Sequence, residues 1–479
     1  PASFIQILKT FFQIISPCQT FAIRQTHCSP TLPGTSIYYD QFNRKGQGET
    51  LAHPSPIPPL LNTFTPIMRS INIIALLLIS LVPSLCQHKN RHALRQQISS
   101  ILTRSIADHK IPGAVIAIKK GDRVLMKKAF GFAQVKDAET HWMNHPKKTS
   151  TRHLYDLASL TKVVGTTTAI MLLADQHRLS VDDPVGKYLP AFNGPEKQAI
   201  TLRNLLTHTA GLITWYPLYY RCKNKEETYR LIDSLPLATP VGAGRHYSDL
   251  GFVLLGEIIE KISGQPFEVF LQAQIFKPLG MHHTFYRPLD KNKHLKIAAT
   301  SHGNPYEHRM VRDSTLGLTR ADIDPESWNG WRNYTLKGEV NDGNAWYALQ
   351  GISGAAGLFS TAGDVQILVD MLKNKGLTGK KRFLSEKTIT QFFTPDPFQN
   401  GLGWMMDPTN GFMKNGPAGS FGHTGFTGTS IAVIPEQEIS IILLINRQNV
   451  GLLPNQVYYN PNPIREAIFK AVMDWDKIK

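Results

Sequence analysis

The sequence predicts an α+β fold in which one antiparallel sheet is formed from both ends of the folded chain. Near the N-terminal end, segment 112–133 alternates in polarity and turns at Gly121-Asp122, a pattern that predicts a two-stranded hairpin. Near the C-terminal end, segment 419–447 predicts a strand, a turn at Pro435 and a second strand. Between these segments, apolar residues recur at helical spacing. The sheet is therefore expected to be flanked by helices and completed by an inserted helical domain.

The predicted helices follow from apolar stripes that repeat every three or four residues. They lie at 87–107, from Ser159 toward His177, and at Thr201–Leu206, Tyr247–Ile262, Ala362–Lys373 and Pro463–Trp475. An apolar fraction of 42% with 18% charged residues is typical of a folded globular protein. No long window repeats at a fixed period, so we expect neither a solenoid nor a propeller.

The first 86 residues differ from the rest of the chain. Residues 1–67 show no sustained period, and we treat them as a doubtful extension. Residues 68–86 have the layout of a secretory signal peptide, with a basic start, an apolar run from Ile71 to Val82 and small residues before Gln87. This division leaves 87–479 as the mature domain and predicts export to the periplasm or the envelope. Lipidation of Cys86 is the alternative.

Cysteine content and charge add further expectations. Of the four cysteines only Cys222 lies beyond residue 86, so no disulfide is expected in the mature domain. The formal net charge of +16 is compatible with attraction to anionic envelope polymers, and equally with a solvated surface that has no partner. No block of basic and aromatic residues indicates a nucleic-acid partner. We expect a monomer.

The candidate catalytic residues begin with Ser159 and Lys162, three residues apart at the start of a predicted helix. Residues at this spacing share a helix face, so the Lys162 ammonium can lie over the Ser159 hydroxyl. A serine is a weak nucleophile until a base takes its proton, and an apolar pocket or a neighbouring cation can lower a lysine pKa enough for that task. The spacing also arises by chance, so it needs support from other motifs.

Two further motifs supply that support. Tyr247 and Asp249 lie in "GRHYSDLGF" at the entry of an amphipathic helix, and "GHTGFTG" places His423 before Thr-Gly on a predicted strand. A serine-lysine pair, a tyrosine followed two residues later by an amide or acid, and a basic residue before Thr-Gly, in this order, are the signature of penicillin-recognising serine enzymes.

From about Leu94 to its C-terminus the chain thereby resembles the serine β-lactamase-like superfamily, which includes class C β-lactamases, D-alanyl-D-alanine carboxypeptidases and related esterases. Flanking phrases typical of that family support the resemblance, namely "LLTHTAGL", "LLGEIIEKISGQPF", "IFKPLGMHHTFY", "GLFSTAGDV" and "GLGW". The resemblance implies a sheet with helices on both faces, a helical domain, and an active site between them. Residues 87–479 would then be one serine hydrolase domain.

The resemblance also implies catalytic roles. Ser159 would be the acylated nucleophile, Lys162 would assist its deprotonation and hold a proton, and Tyr247 would pair with Lys162 as the base. The implied reaction is a two-step acyl transfer to water through a serine ester. The implied substrate-binding residues are Asp249, His423, Thr424, Gly425 and Phe426. Among them, Thr424 and Gly425 would align the acyl chain, and the backbone N–H groups of Phe426 and Ser159 would form the oxyanion hole.

Two motif positions depart from the penicillin-recognising pattern. His423 stands where those enzymes usually have lysine, and a neutral histidine would bind a substrate carboxylate less well than a permanent cation. Asp249 stands where they usually have asparagine, which adds a negative charge and removes an amide donor. Both changes argue against strong penicillinase activity. Asn341 and Ala355 also replace histidines that are common in exported relatives, which indicates either a different substrate or a drifted loop.

These observations predict an exported serine hydrolase that acts on D-alanyl peptides of peptidoglycan. The expected partner is a small-molecule or peptidoglycan-peptide substrate. We expect no cofactor and no metal, because the scattered histidines have no ligand spacing. The alternatives are a carboxylesterase, a weak class C-like β-lactamase, and a non-catalytic binding module of the same fold. His208 is expected to be a structural residue near the site.

Overall fold

The protein is described by a computed structural model that covers residues 90–406 and 411–477. The doubtful extension 1–67, the signal-peptide segment 68–86 and Cys86 lie outside the described residues.

The strands are β1 (Gly113–Lys120), β2 (Arg123–Lys136), β3 (Trp142–Lys148), β4 (Tyr155–Asp156), β5 (Phe285–Tyr286), β6 (Leu358–Ser360), β7 (Leu377–Thr378), β8 (Lys381–Arg382), β9 (Phe421–Thr424), β10 (Ser430–Ile434) and β11 (Ile439–Ile445).

The α-helices are α1 (90–107), α2 (Thr168–Asp175), α3 (Leu202–Thr207), α4 (Lys225–Ser234), α5 (Asp249–Ser263), α6 (Phe267–Leu271), α7 (Lys277–Leu279), α8 (Pro288–Lys291), α9 (Pro305–Arg312), α10 (Ala362–Lys373), α11 (Glu386–Phe392) and α12 (Asn462–Lys477). A wider, π-helical segment, Lys162–Thr167, leads into α2. Within the described ranges, none of the helices combines the length and the apolar character needed to cross a bilayer.

The main sheet has the strand order β3-β2-β1-β11-β10-β9, and its neighbouring strands are antiparallel. β1 and β2 form the predicted N-terminal hairpin, and β10 and β11 form the predicted hairpin around Pro435. Because β1 pairs with β11, the two ends of the described chain meet at the centre of one sheet. The predicted fold class is confirmed. A smaller sheet, β4-β6-β5, was not predicted.

Helices cover both faces of the main sheet, which explains the uninterrupted apolar run "ISIILLI" of β11. On one face, Ile441 and Leu443 pack in the core that α1 and α12 complete. On the other face, Ile442 and Leu444 pack in the larger core that contains α10 and the helices of the inserted part. The strand β3 was missed by the sequence analysis because its residues are exposed or half-buried and show no apolar alternation.

The central position of β11 predicts a large stability effect for Leu444→Ala. Leu444 is fully buried, and truncating a buried leucine to alanine costs about 2–5 kcal/mol of unfolding free energy because it leaves a cavity. The matched control is Val124→Ala on β2, where the valine is 47% exposed and the expected change is within about 0.5 kcal/mol. Urea unfolding of both variants measures the difference, and equal effects would contradict this assignment of the core.

Candidate active site

A tight turn after β4 presents Ser159. Ala158, the preceding residue, has a left-handed backbone with a φ of 46°, a conformation that is unfavourable for residues other than glycine. The Asp156 carboxylate accepts a hydrogen bond from the Ala158 N–H at 2.8 Å and so holds the turn. As a result, Ser159 lies half-buried just before the helical segment Lys162–Thr167.

The Lys162 side chain is fully buried, and its partners are oxygen atoms of Ser159, Ala355, Asp249 and Tyr247. Its Nζ donates to Ser159 Oγ at 3.2 Å and to the carbonyl oxygen of Ala355 at 2.9 Å. It also forms an ion pair with Asp249 Oδ1 at 2.7 Å. The predicted pair Ser159 and Lys162 is thus in contact, and Asp249 faces the lysine.

These partners decide the charge of Lys162. Burial is the largest single effect and would lower its pKa, but the charges and hydrogen bonds of Asp249 and Tyr247 together outweigh burial and raise the pKa of Lys162 above its ordinary value. An apolar pocket can lower a lysine pKa, but here the shift is in the opposite direction and favours the ammonium form at neutral pH. The physical reason is the carboxylate, which stabilises the ammonium form.

Tyr247 lies against the same two side chains. Its hydroxyl hydrogen-bonds with Ser159 and Lys162, and the Lys162 ammonium is 5.2 Å from the centre of the tyrosine ring. Burial raises the pKa of Tyr247, and the nearby Lys162 charge only partly opposes this shift. In the resting site Tyr247 is therefore a neutral phenol.

His208 holds Tyr247 in place. The two rings are stacked with centroids 4.4 Å apart. The backbone N–H of His246 donates to the His208 carbonyl at 2.8 Å, and the N–H of Ser248 lies 3.1 Å from His208 Nδ1, which accepts it. Burial lowers the pKa of His208 well below its usual value, so the ring is neutral. The expectation of a structural residue near the site agrees with these contacts.

The third motif lies on β9, at the outer edge of the main sheet. His423 is buried, and burial followed by the charge of Lys162 lowers its pKa to about 3, so it carries no charge at neutral pH. Thr424 is half-buried. Gly425 has no room for a side chain, because a Cβ atom there would lie 2.4 Å from the Leu157 carbonyl oxygen.

The two predicted oxyanion donors have free N–H groups within the described ranges. The backbone N–H groups of Ser159 and Phe426 donate to no acceptor among the described residues. Phe426 itself is fixed by Arg447, whose Nε donates to the Phe426 carbonyl at 2.8 Å and whose guanidinium lies 4.8 Å from the centre of the Phe426 ring. Arg447 was not singled out by the sequence analysis, because it lies 21 residues beyond the motif.

The loop that contains Asn341 and Ala355 brings a main-chain carbonyl and an acidic side chain to the site. The Ala355 carbonyl binds Lys162, so a main-chain atom acts where the sequence suggested only a lost histidine. Asn341 is buried in a polar network with Ser301 and Gln448. Its neighbour Asp342 was missed by the sequence analysis. Burial and the nearby Asp249 charge raise the pKa of Asp342.

A potential metal site lies away from these residues. Among residues 90–406 and 411–477, the side chains of Asp137, Glu139 and His141 come within 4.8 Å of one another next to β3. Exposed acidic groups of this kind are common without an ion, and the roles of the residues around Ser159 require none. The predictions of no metal and of the individual catalytic roles stay predictions.

Known proteins resemble this chain over most of its length. The sequence model of the Beta-lactamase family matches residues 98–455. An N-acetylmuramyl-L-alanine amidase of Bacillus subtilis (strain 168) is 32% identical over 389 residues, covering 77% of this chain and 83% of that protein. A protein of Salmonella enteritidis PT4 (strain P125109), named provisionally as a D-alanyl-D-alanine carboxypeptidase, is 32% identical over 391 residues, covering 76% and 85%.

A solved class C beta lactamase has the same fold, with a TM-score of 0.59 at 18% identity over 80% of this chain and 99% of that one. The family match and the two relatives cover about three quarters of the sequence, including all three motifs. This chain therefore belongs to the Beta-lactamase family of serine hydrolases.

Proposed function

We propose that the protein is an exported hydrolase that releases alanine from peptidoglycan-derived acyl donors through a serine ester at Ser159. The observation that carries the proposal is the buried Lys162 ammonium, which contacts Ser159 Oγ at 3.2 Å and the Asp249 carboxylate at 2.7 Å. A hydroxyl, a cation and a carboxylate in contact provide a path by which the serine proton can leave.

Two substrates fit this proposal. The first is a peptide ending in D-alanyl-D-alanine, and the second is N-acetylmuramyl-L-alanine, which the name of the Bacillus relative favours. In both, the leaving group is an alanine with a free carboxylate. The two candidates therefore differ in the acyl part, which is a peptide in one and a sugar-bearing lactyl group in the other.

The proposed acylation begins with a proton relay. Ser159 Oγ attacks the amide carbonyl carbon while its proton passes to Lys162 Nζ, and Nζ passes one of its own protons to Asp249. Lys162 thus stays an ammonium and Asp249 becomes a neutral acid. The carbonyl oxygen becomes an oxyanion at the N–H groups of Ser159 and Phe426, where loss of one donor costs about 3 kcal/mol of transition-state stabilisation.

Tyr247 protonates the leaving group in this scheme. As a neutral phenol beside Ser159, it donates its proton to the amide nitrogen as the carbon–nitrogen bond breaks. The proton held by Asp249 then returns through Lys162 to Tyr247, which leaves a serine ester and free alanine. In the second half the relay runs in reverse, and Tyr247 first passes its proton through Lys162 to Asp249. Water then attacks the ester and gives a proton to Tyr247, while Asp249 returns its proton through Lys162 to Ser159 Oγ as the ester bond breaks.

The first prediction for this scheme concerns Ser159. Protein expressed from residue 68 in an exporting bacterial host should gain one adduct from a fluorophosphonate, and Ser159→Ala should gain none. The purified protein should also release alanine from a peptide ending in D-alanyl-D-alanine or from N-acetylmuramyl-L-alanine. Intact-mass spectrometry measures the adduct and shows whether the chain starts at Gln87 or at a lipidated Cys86.

Other outcomes of that experiment select other functions. A short-lived penicillin adduct with hydrolysed drug would indicate a weak β-lactamase. Turnover of short-chain esters without alanine release would indicate a carboxylesterase. A Ser159 that is inert to the fluorophosphonate, in a protein that still binds a cell-wall ligand tightly, would contradict the proposal and indicate a binding module.

The second prediction concerns pH and Asp249. While Lys162 and Asp249 form their ion pair, the relay releases no proton to solvent. The rate of fluorophosphonate labelling should therefore not change with pH around pH 7. Asp249→Asn removes the acceptor, and only molecules with a neutral Lys162 can react. Because burial lowers the Lys162 pKa once the Asp249 charge is gone, labelling of the variant should fall, by up to about 100-fold, at pH values below that lowered pKa and should rise with pH toward it. A faster variant at pH 7 would show that Asp249 only holds the lysine proton.

The neighbours of the ion pair supply the controls for that profile. Tyr247, His208, His423 and Asp342 face Lys162 or Asp249. Both histidines have lowered pKa values, so they stay neutral from pH 6 to 9. Asp342→Asn leaves the acceptor in place and should keep the level profile. Urea unfolding of both variants separates a lost relay from a lost fold.

The third prediction concerns His208 as a positioning residue for Tyr247. His208→Ala removes the stacked ring and the acceptor for the Ser248 N–H, so kcat for alanine release should fall about 10- to 100-fold with little change in KM. His208→Asn keeps an acceptor and tolerates the left-handed backbone, and it should recover part of the loss. Equal losses in both variants, in proportion to lost stability, would contradict a positioning role.

A further inference from the structure

Phe426 is the most unusual exposed residue of the site. Its backbone N–H is the predicted second oxyanion donor, and its side chain is 40% exposed. A single exposed aromatic side chain is ordinary on a protein surface, so the position of Phe426 matters more than its exposure. Because ring and N–H belong to one residue that directly follows Gly425, whatever covers the ring lies next to the reacting carbonyl.

Two other rings stand around Phe426. Tyr306 from α9 has its ring centre 5.5 Å from that of Phe426, and Tyr458 from the segment before α12 is 6.0 Å away. Tyr306 and Tyr458 are themselves 6.4 Å apart. Three segments distant in sequence therefore converge on one aromatic group, which we call the aromatic trio (Tyr306, Phe426 and Tyr458).

Arg447 fixes this trio from one side. Its guanidinium lies 4.8 Å from the Phe426 ring centre and 5.8 Å from that of Tyr458, and it donates to the carbonyl oxygens of Phe426 and Tyr459. With one face of Phe426 covered by the guanidinium, the exposed area belongs to the rest of the ring. Tyr458 is buried, so the accessible part of the trio is the exposed Phe426 ring and the half-buried Tyr306 ring beside it.

Arg447 also limits how a peptide acyl donor can bind. The outer edge of β9 is paired with Met405 at Gly422, so an extended peptide acyl chain would align beside the strand beyond Gly422 and use main-chain acceptors such as the Phe426 carbonyl. That carbonyl already accepts from Arg447 at 2.8 Å. A peptide must share this acceptor, whereas a ring that packs on the trio does not need it.

The chemistry of the trio fits a sugar. The electron-rich face of an aromatic ring attracts the polarised C–H groups on one face of a pyranose, and the hydroxyl of the half-buried Tyr306 can serve its hydroxyl groups. We propose that the aromatic trio is a subsite for a pyranose ring carried by the acyl group that Ser159 attacks. The inference rests on the proposed function and selects the muramyl acyl donor over the peptide.

Binding without turnover tests the subsite directly. In the Ser159→Ala background, N-acetylmuramic acid should bind, with its ring protons saturated in ligand-observed NMR, and D-lactate should bind far more weakly. Adding Phe426→Leu should weaken N-acetylmuramic acid about tenfold, which corresponds to about 1.4 kcal/mol, the range of one aromatic contact. Absence of sugar binding, or equal affinity with Phe426→Leu, would overturn the proposal.

The matched control is Trp142→Leu. Trp142 is 53% exposed on β3, at the opposite edge of the main sheet from β9. The substitution Trp142→Leu removes a comparable exposed ring far from the site, so the affinity for N-acetylmuramic acid should stay unchanged. Equal weakening by Trp142→Leu and Phe426→Leu would indicate a general effect of surface aromatics and would also overturn the proposal.

Kinetics then separate this inference from the proposed function. N-acetylmuramyl-L-alanine and D-lactyl-L-alanine share the scissile amide and differ only in the sugar. The wild type should favour the first by at least about tenfold in kcat/KM, and Phe426→Leu should bring the ratio toward one. If the wild type has equal kcat/KM values for the two substrates and the fluorophosphonate still labels Ser159, the subsite is refuted and the proposed function is not. A Ser159 that no fluorophosphonate labels refutes the proposed function, and the NMR result still decides the subsite.

Discussion

A lysine charge held inside the protein is the constraint on which the rest of the site depends. An ammonium as deeply buried as that of Lys162 is costly unless its three protons find acceptors and its charge finds a partner. Asp249, the Ala355 carbonyl and the Ser159 hydroxyl provide them. They come from α5, from the loop before β6 and from the turn after β4. The charge is therefore satisfied only when these segments are assembled, so the catalytic contacts and the fold form together.

The same constraint explains the altered motif positions. Relative to the penicillin-recognising pattern, His423 replaces a permanent cation with a neutral ring, and Asp249 replaces a neutral amide with a carboxylate. The first difference removes a positive charge from the site, and the second adds a negative charge. The added negative charge lies against Lys162, with Asp249 Oδ1 2.7 Å from the Lys162 Nζ. The positive charges that act on His423 come instead from Lys162, Arg245 and Arg465.

The two walls of the site have different origins. The nucleophile and its proton partners belong to the helical part and to the smaller sheet, where the contacts are short and charged. The oxyanion strand belongs to the edge of the main sheet, where Arg447 and the aromatic trio surround Phe426. The first wall carries the first two motifs. The second wall combines the third motif with Arg447, Tyr306 and Tyr458, which lie outside the three motifs.

The sequence by itself determined the two main hairpins, half of the α-helices of the described ranges and the order of the motifs. Alternation set the hairpins at Gly121 and Pro435, helical spacing set α3, α5, α10 and α12 to within about two residues, and the motifs identified Ser159, Lys162 and Tyr247. These signals are local, so they survive in the sequence without knowledge of the fold. The exposed strand β3 carried no such signal and was missed.

Tertiary structure alone decided what each motif residue faces. The Lys162–Ala355 hydrogen bond spans 193 residues, and the Arg447 contact depends on the return of β11 to the centre of the sheet. Asp249 was assigned to the substrate from the sequence, yet it lies against Lys162. A motif fixes which residues are available, but the direction of a buried side chain and its protonation state depend on charges brought close by distant segments.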